Sequence, residues 1–308
     1  ISDVFAVEVV ADPVIDTQAI AAQEVCQNAS LLELTITVSG GIASSSFDYQ
    51  WYSNTTNNNT GGTPIAGANT NTYTPDNTTI GTLYYYVVVT QTESGCEVIS
   101  NTSEVTITPG PTIVTQPVDS EVCLDGVANQ LTIVTQNGVG IPTYQWYTNT
   151  TNSTSGGTPI AGATNSTYDP PTNTVGEIFY YVTIAFQGGC DLISSEVASV
   201  VVVQEPVAVA NNPLQIVCLD GTADDFQITL TGGLGNPSYQ WYSNTTNSNT
   251  GGTLIAGATA STYNPGVLTA ISLNYYYVEV TLDGVGCDTA ISDVFAVEVV
   301  ADPVIDTQ

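Results

Sequence analysis

Short segments of alternating apolar and polar residues recur along the chain. Leu34, Ile36 and Val38 alternate with Thr35 and Thr37, and the pattern returns at Leu131/Ile133 and Phe226/Ile228/Leu230. A period of two places the apolar members on one face of a strand and the threonines on the other. A second strand is predicted over Phe47–Ser53, with Tyr49 and Trp51 on one face and Gln50 and Tyr52 on the opposite one. A third is tyrosine-rich: Tyr85, Val87 and Val89 alternate with Tyr84, Tyr86 and Val88. In its last copy Glu279 falls in the second set, which assigns Tyr276, Val278 and Val280 to the core, with Tyr180 as the middle counterpart. Gly, Pro and Asn clusters separate the segments, and no stretch keeps a 3.6-residue apolar period. The predicted fold class is all-β, built as sandwiches.

The strands belong to a repeat. Tyr-Gln-Trp-Tyr occurs at Tyr49–Tyr52, Tyr144–Tyr147 and Tyr239–Tyr242, each 95 residues from the last. Around each copy stands Cys, then Trp, then Cys: Cys26/Trp51/Cys96, Cys123/Trp146/Cys190 and Cys218/Trp241/Cys287. A period of this length predicts three modules, each with one small core. A longer repeat encloses them, because Ile1–Gln18 recurs letter for letter as Ile291–Gln308. The fragment therefore reads as one 290-residue period plus an overlap, and the natural chain is expected to continue beyond both ends. The predicted boundaries are 1–17 for the last strand and linker of a preceding repeat, then modules over 18–110, 111–207 and 208–308, the last including the next linker. Strand pairing of residues 1–11 with a neighbour is one expected outcome for that orphan segment.

Composition removes most chemistry. The 308 residues include 29 Asp and Glu but no Lys, Arg, His or Met, for a net charge of −29. Without His or Lys there is no Ser-His-Asp triad, Schiff-base lysine or His-ligated metal. A Lys–Asn isopeptide staple is equally excluded. Without cations the chain has nothing to neutralise phosphates, which excludes nucleic acid and anionic membrane surfaces as partners. Like charges oppose side-by-side association, and proteases that cut after Lys or Arg find no site. No apolar run reaches membrane-spanning length. The sequence predicts no enzyme; an aspartate-based hydrolase would need two converging carboxylates that the repeat does not supply.

The order of Cys, Tyr-Gln-Trp-Tyr, a Gly-Gly turn, Ile-Ala-Gly-Ala, Thr-Tyr, a Tyr-Tyr-Val strand and a late Cys resembles bacterial immunoglobulin-like repeats. More narrowly it resembles the repeats of giant surface adhesins of Bacteroidota, including gliding-motility adhesins exported by the type IX system. The resemblance covers the whole chain. It implies tandem immunoglobulin-like β-sandwiches in an extended array, located outside the cell at its surface, with neighbouring repeats of the same chain as partners. Antibody-type domains carry a disulfide across the middle of the core, but here Leu34 or Ile36 and Val87 fill those inward positions. The cysteines lie before the strand of Leu34, Ile36 and Val38 and at the start of the last strand of each module. Six cysteines allow fifteen pairings; threefold repetition favours Cys26–Cys96, Cys123–Cys190 and Cys218–Cys287, each tying one pole of its own module. Closing such loops of about 70 residues would contribute roughly 4 kcal/mol in the chain-entropy model, and disulfides at this density imply an oxidising compartment.

The junctions carry proline at Pro109-Gly110-Pro111, Glu205-Pro206 and Asp302-Pro303, so the last strand of one module is expected to run almost directly into the first of the next. Trp51, Trp146 and Trp241 are expected in the core, with sugar stacking as the alternative. Tyr52, Tyr147 and Tyr242, with Tyr84 and Tyr86, would form an outward aromatic stripe, either a glycan- or protein-binding face or plain cross-strand pairing. The Asn/Thr/Gly-rich loop Ser53–Gly62 recurs as Thr148–Gly157 and Ser243–Gly252, either a solvated turn or a recognition loop. It opens on the Asn-x-Thr sequons Asn54, Asn149 and Asn244, and Asp288-Thr289-Ala290 resembles a Bacteroidota O-glycosylation motif. No cofactor is expected. Cys-Leu-Asp-Gly at Cys123–Gly126 and Cys218–Gly221, with Asp224 and Asp225, is the one place where Ca²⁺ enters as an alternative to a solvated turn.

Overall fold

A computed structural model describes residues 7, 9–42 and 45–304, and its elements are all strands. The first module holds β1 (Pro13–Thr17), β2 (Ala22–Cys26), β3 (Leu34–Thr35), β4 (Thr37–Gly40), β5 (Phe47–Asn54), β6 (Thr63–Pro64), β7 (Thr72–Tyr73), β8 (Gly81–Gln91), β9 (Glu97–Ile99) and β10 (Ser103–Thr108). The second repeats the series as β11 (Thr112–Thr115), β12 (Ser120–Cys123), β13 (Leu131–Thr132), β14 (Val134–Gln136), β15 (Val139–Asn149), β16 (Thr158–Pro159), β17 (Thr167–Tyr168), β18 (Gly176–Gln187), β19 (Ile193–Ser194) and β20 (Ala198–Val203). The third has β21 (Val207–Asn211), β22 (Leu214–Cys218), a continuous β23 (Phe226–Thr231), β24 (Pro237–Asn244), β25 (Thr253–Leu254), β26 (Thr262–Tyr263), β27 (Leu273–Leu282), β28 (Ala290–Ile291) and β29 (Phe295–Val300).

Each module is a two-layer sandwich. One layer runs β2-β10-β8-β5-β6, with β9 beside β8; the other is the pair β1–β4 with the short pair β3–β7. In the third module the second layer closes into one sheet, β21-β23-β26. Trp51, Trp146 and Trp241 are fully buried between the layers, and each indole N–H donates to a backbone carbonyl, of Thr70, Asn165 and Ala260 respectively, at 2.9 Å. Tyr85, Tyr180 and Tyr276 are buried in the same cores. A serine breaks the final strand of every module: Ser100, Ser195 and Ser292 are buried, and each hydroxyl accepts the N–H of Val87, Val182 or Val278 at 3.0 Å. Each also donates to the next residue's carbonyl, so this buried polar group is satisfied on both sides.

Two features set the geometry of the junctions. First, β2 pairs with β10 in parallel, with Cys26 opposite Thr108; β12 with β20 and β22 with β29 do the same. Second, only short links separate β10 from β11 and β20 from β21. β1 already pairs with β4 of the first module, so that module starts at or before Pro13, inside the stretch read from sequence as a preceding linker. The strand expected over residues 1–11 falls largely on residues 1–6 and 8, outside the described residues.

Candidate functional site at the module junctions

The disulfides join neighbouring modules. Cys26 bonds to Cys190 and Cys123 to Cys287, with Cα–Cα distances of 5.0 and 4.9 Å and the same sequence separation of 164, while Cys96 and Cys218 are free. This corrects the pairing within modules favoured by repetition. The parallel register explains it. Cys26 lies beside the end of β10, at the C-terminal pole of its module, whereas Cys96 precedes β9 and β10 at the N-terminal pole. About a dozen residues of nearly extended chain, at ~3.3 Å each, separate the poles by roughly 40 Å. A disulfide needs Cα atoms within about 7 Å. The C-terminal pole of one module does, however, face the N-terminal pole of the next.

Each junction is a turn fitted to a hairpin. The turn follows the first cysteine and is closed by a hydrogen bond from Ala29 N to Cys26 O (3.0 Å) or Gly126 N to Cys123 O (2.9 Å). Its third residue is left-handed, Asn28 at φ 66° and Asp125 at φ 60°, a conformation that Asn and Asp tolerate best among non-glycine residues. The hairpin brings Gly189-Cys190 or Gly286-Cys287. Cys26 N donates to Gly188 O and Cys123 N to Val285 O, both at 2.9 Å, so a backbone hydrogen bond runs beside each disulfide. The glycine before the hairpin cysteine allows the approach. A Cβ on Gly189 would lie 2.8 Å from Ala29 Cβ, and one on Gly286 would fall on the Gly126 Cα. At the second junction Glu205 also accepts the N–H of Asp288 at 2.8 Å. Disulfide, linker and these contacts attach neighbouring modules at two covalent points.

The other sequence candidates fall elsewhere. Tyr52, Tyr147 and Tyr242 stack face to face on Tyr86, Tyr181 and Tyr277, with centroids 5.1, 4.9 and 4.9 Å apart. Tyr86 was expected to face outward and is buried, only 3% exposed. Its hydroxyl accepts the N–H of Gly62, and the Gly-Gly turn folds over it, as Gly157 and Gly252 do over Tyr181 and Tyr277. A Cβ on Gly157 would sit 2.7 Å from Tyr181 Cε1. The Gly-Gly repeats thus report a close approach that alternation alone misses. Tyr84 stays half-buried, and Tyr242 donates to Glu279 at 2.9 Å, which raises its pKa. Most of the supposed ligand face is spent on these internal pairs.

Asn54, Asn149 and Asn244 hold their own loops. Each side-chain amide donates to two loop carbonyls, Asn58 and Thr60 in the first module, and accepts the N–H two residues on. The nitrogen that a glycan would occupy is therefore engaged. Asp125 and Asp220 shape their turns, while Asp225 accepts from Asn264 at 2.7 Å. Among the described residues, no three Cys, Asp or Glu side chains gather into a group able to hold a metal.

Comparison with known proteins gives the same architecture. A three-domain I-band fragment of titin, I67–I69, is similar over 96% of this chain and 100% of its own length, with a TM-score of 0.52 at 12% identity. A Glu-to-Ala variant of the same titin domains gives the same values. Extracellular domains 3–5 of Drosophila OTK match over 95% and 98%, with a TM-score of 0.36 and 15% identity. No curated protein matches the chain. At such identities the titin likeness carries the fold alone: tandem immunoglobulin-like sandwiches. One family profile matches three times in succession, over residues 16–109, 113–204 and 208–301. The chain, through all three of its modules, belongs to the family described as "Domain of unknown function (DUF8696)".

Proposed function

We propose that this chain is a load-bearing segment of a long, repetitive bacterial cell-surface adhesin, a stalk whose modules are covalently prevented from unravelling. The observation that carries the reading is the pair of disulfides between modules. In an array without them, tension enters a module at its first strand, leaves at its last, and can pull out everything between. Here the bridges place Cys26 and Cys190 at one point of the covalent network and Cys123 and Cys287 at another. Three stretches of backbone connect these two points in parallel: residues 26–123, 123–190 and 190–287. None lengthens unless the other two lengthen with it. The middle module sets the native distance between the points, so the outer modules are protected by its fold as well as by their own.

Further support comes from the chemistry of the exterior. Disulfides persist in oxidising compartments outside the cytosol, and the resemblance to surface-adhesin repeats fits that setting. A net charge of −29 keeps neighbouring stalks apart over the ~8–10 Å screening length of physiological salt. The role is mechanical and needs no catalytic group. Particle imaging of the oxidised chain tests it. With each module about 35–40 Å long, straight rods near 110 Å are expected, and reductant should broaden the angles between modules. Freely hinged beads or compact globules under oxidising conditions would overturn the reading.

A further inference from the structure

Cys96 and Cys218, the two cysteines without a partner, stand at opposite ends of the row of modules. Cys96 is at the N-terminal pole of the first module, and exposed Cys218 is at the C-terminal pole of the third. We propose that they are the two halves of a third junction: Cys218 of one copy bonds to Cys96 of the next copy when two copies follow one another through the shared eighteen residues. The inference rests on the inter-module bridges on which the stalk reading also rests, and extends them from one period to the next.

Four observations carry it. The turn after Cys218 has the backbone of the two bonded turns: Asp220 is left-handed at φ 61°, and Gly221 N donates to Cys218 O at 2.9 Å. Leu219 N donates to Val300 O at 2.9 Å, as Leu124 N does to Val203 O. The hairpin before Cys96 is likewise ready. Gly95 is left-handed at φ 72°, beside 68° for Gly189 and 76° for Gly286. The third observation concerns space. Gly189 and Gly286 are pressed against the turn of the module before them, but a Cβ on Gly95 would meet nothing within 4 Å. In the bonded junctions this is the surface that receives Ala29 or Gly126; in the proposed one it receives Gly221, the smallest residue. The fourth is the identity of Ile1–Gln18 with Ile291–Gln308. The sequence that closes the third module recurs letter for letter ahead of the first, so one copy can lead into the next through a single shared segment.

The bond forms by thiol–disulfide exchange. Two thiols lose two protons and two electrons to a small-molecule disulfide such as oxidised glutathione, which leaves as two reduced thiols, while one S–S bond forms between Sγ of Cys218 and Sγ of Cys96. The test uses two copies of the chain in one polypeptide, with Ile291–Gln308 of the first serving as Ile1–Gln18 of the second. After oxidation in a glutathione buffer, the monomer is alkylated without reduction, weighed intact and mapped after cleavage at Asp and Glu. The expected result is a Cys218–Cys96 peptide and two alkylated thiols, with a Cys218→Ser change in the first copy releasing one more thiol and removing that peptide. Four alkylated thiols, with Cys26–Cys190 and Cys123–Cys287 intact, would overturn the proposal and leave the stalk reading standing. Loss of those two bridges from the map would overturn the stalk reading itself.

Discussion

Pulling one chain by its ends gives a numerical test of the bridges. The perturbation is reduction, or the double change Cys26→Ser with Cys123→Ser, and the assay is single-molecule force extension. In the reduced chain each module of about 95 residues becomes, at ~3.4 Å per residue, some 320 Å of backbone in place of a folded length near 40 Å. Three steps of about 280 Å are expected. In the oxidised chain the shortest covalent route between the two bridge points is the stretch from Cys123 to Cys190, roughly 67 residues or 230 Å. Extension between the points therefore stops after a gain of about 190 Å, reached in one event because the three parallel stretches must yield together. Bridges within modules would behave differently. They would leave about 27 loaded residues per module and give three steps of some 50 Å. Three such short steps, or three full-length steps without reductant, would refute the reasoning.

Other perturbations follow from particular contacts. Gly157→Ala drives a methyl into Tyr181 and should destabilise the second module by about 1–3 kcal/mol; an unchanged thermal midpoint would contradict the tight fit. Ser195→Ala leaves the N–H of Val182 buried without its acceptor, and a loss of about 1–3 kcal/mol is expected in denaturant titration. Burial, reinforced by the neighbouring rings of Tyr73 and Tyr168, pushes the phenols of Tyr85 and Tyr180 up to about 12. Unfolded tyrosine titrates near 10, so the stability held by these neutral phenols is complete below about pH 10 and lost as pH rises toward 12. Phenolate absorbance from these residues should therefore appear together with loss of core tryptophan fluorescence; full ionisation of a still-folded chain would refute it.

The alternating faces were legible because burial on a strand has a period of two, and Trp51, Val87 and Val89 stand where that period puts them. The module count followed from spacing alone. What alternation could not supply was the direction of a short strand ahead of Leu34. Ala22–Cys26 carries Glu24 beside Val25 and shows little apolar rhythm, yet its parallel pairing with Ser103–Thr108 decides which pole holds Cys26. Without the direction of that strand, threefold repetition points to the other cysteine of the same module as the partner. Tyr86 was misplaced for a related reason. Its face of the sheet is the outer one, but a loop from the same module covers it, and strand periodicity carries no information about loops.

The two bridges also change what damage can do. A chain of singly linked domains is severed by one cut anywhere along it. Between the two bridge points here, three stretches of backbone run side by side, so hydrolysis in a loop such as Ser153–Gly157 opens one and leaves two intact. A protease encountering the exposed loops of the middle module could nick it without parting the ends. Parting them between those points takes three separate cuts, one in each stretch, or one cut together with a reductant strong enough to open the bridges. Tolerance to injury is thus written into the connectivity, independently of how stable any single module is.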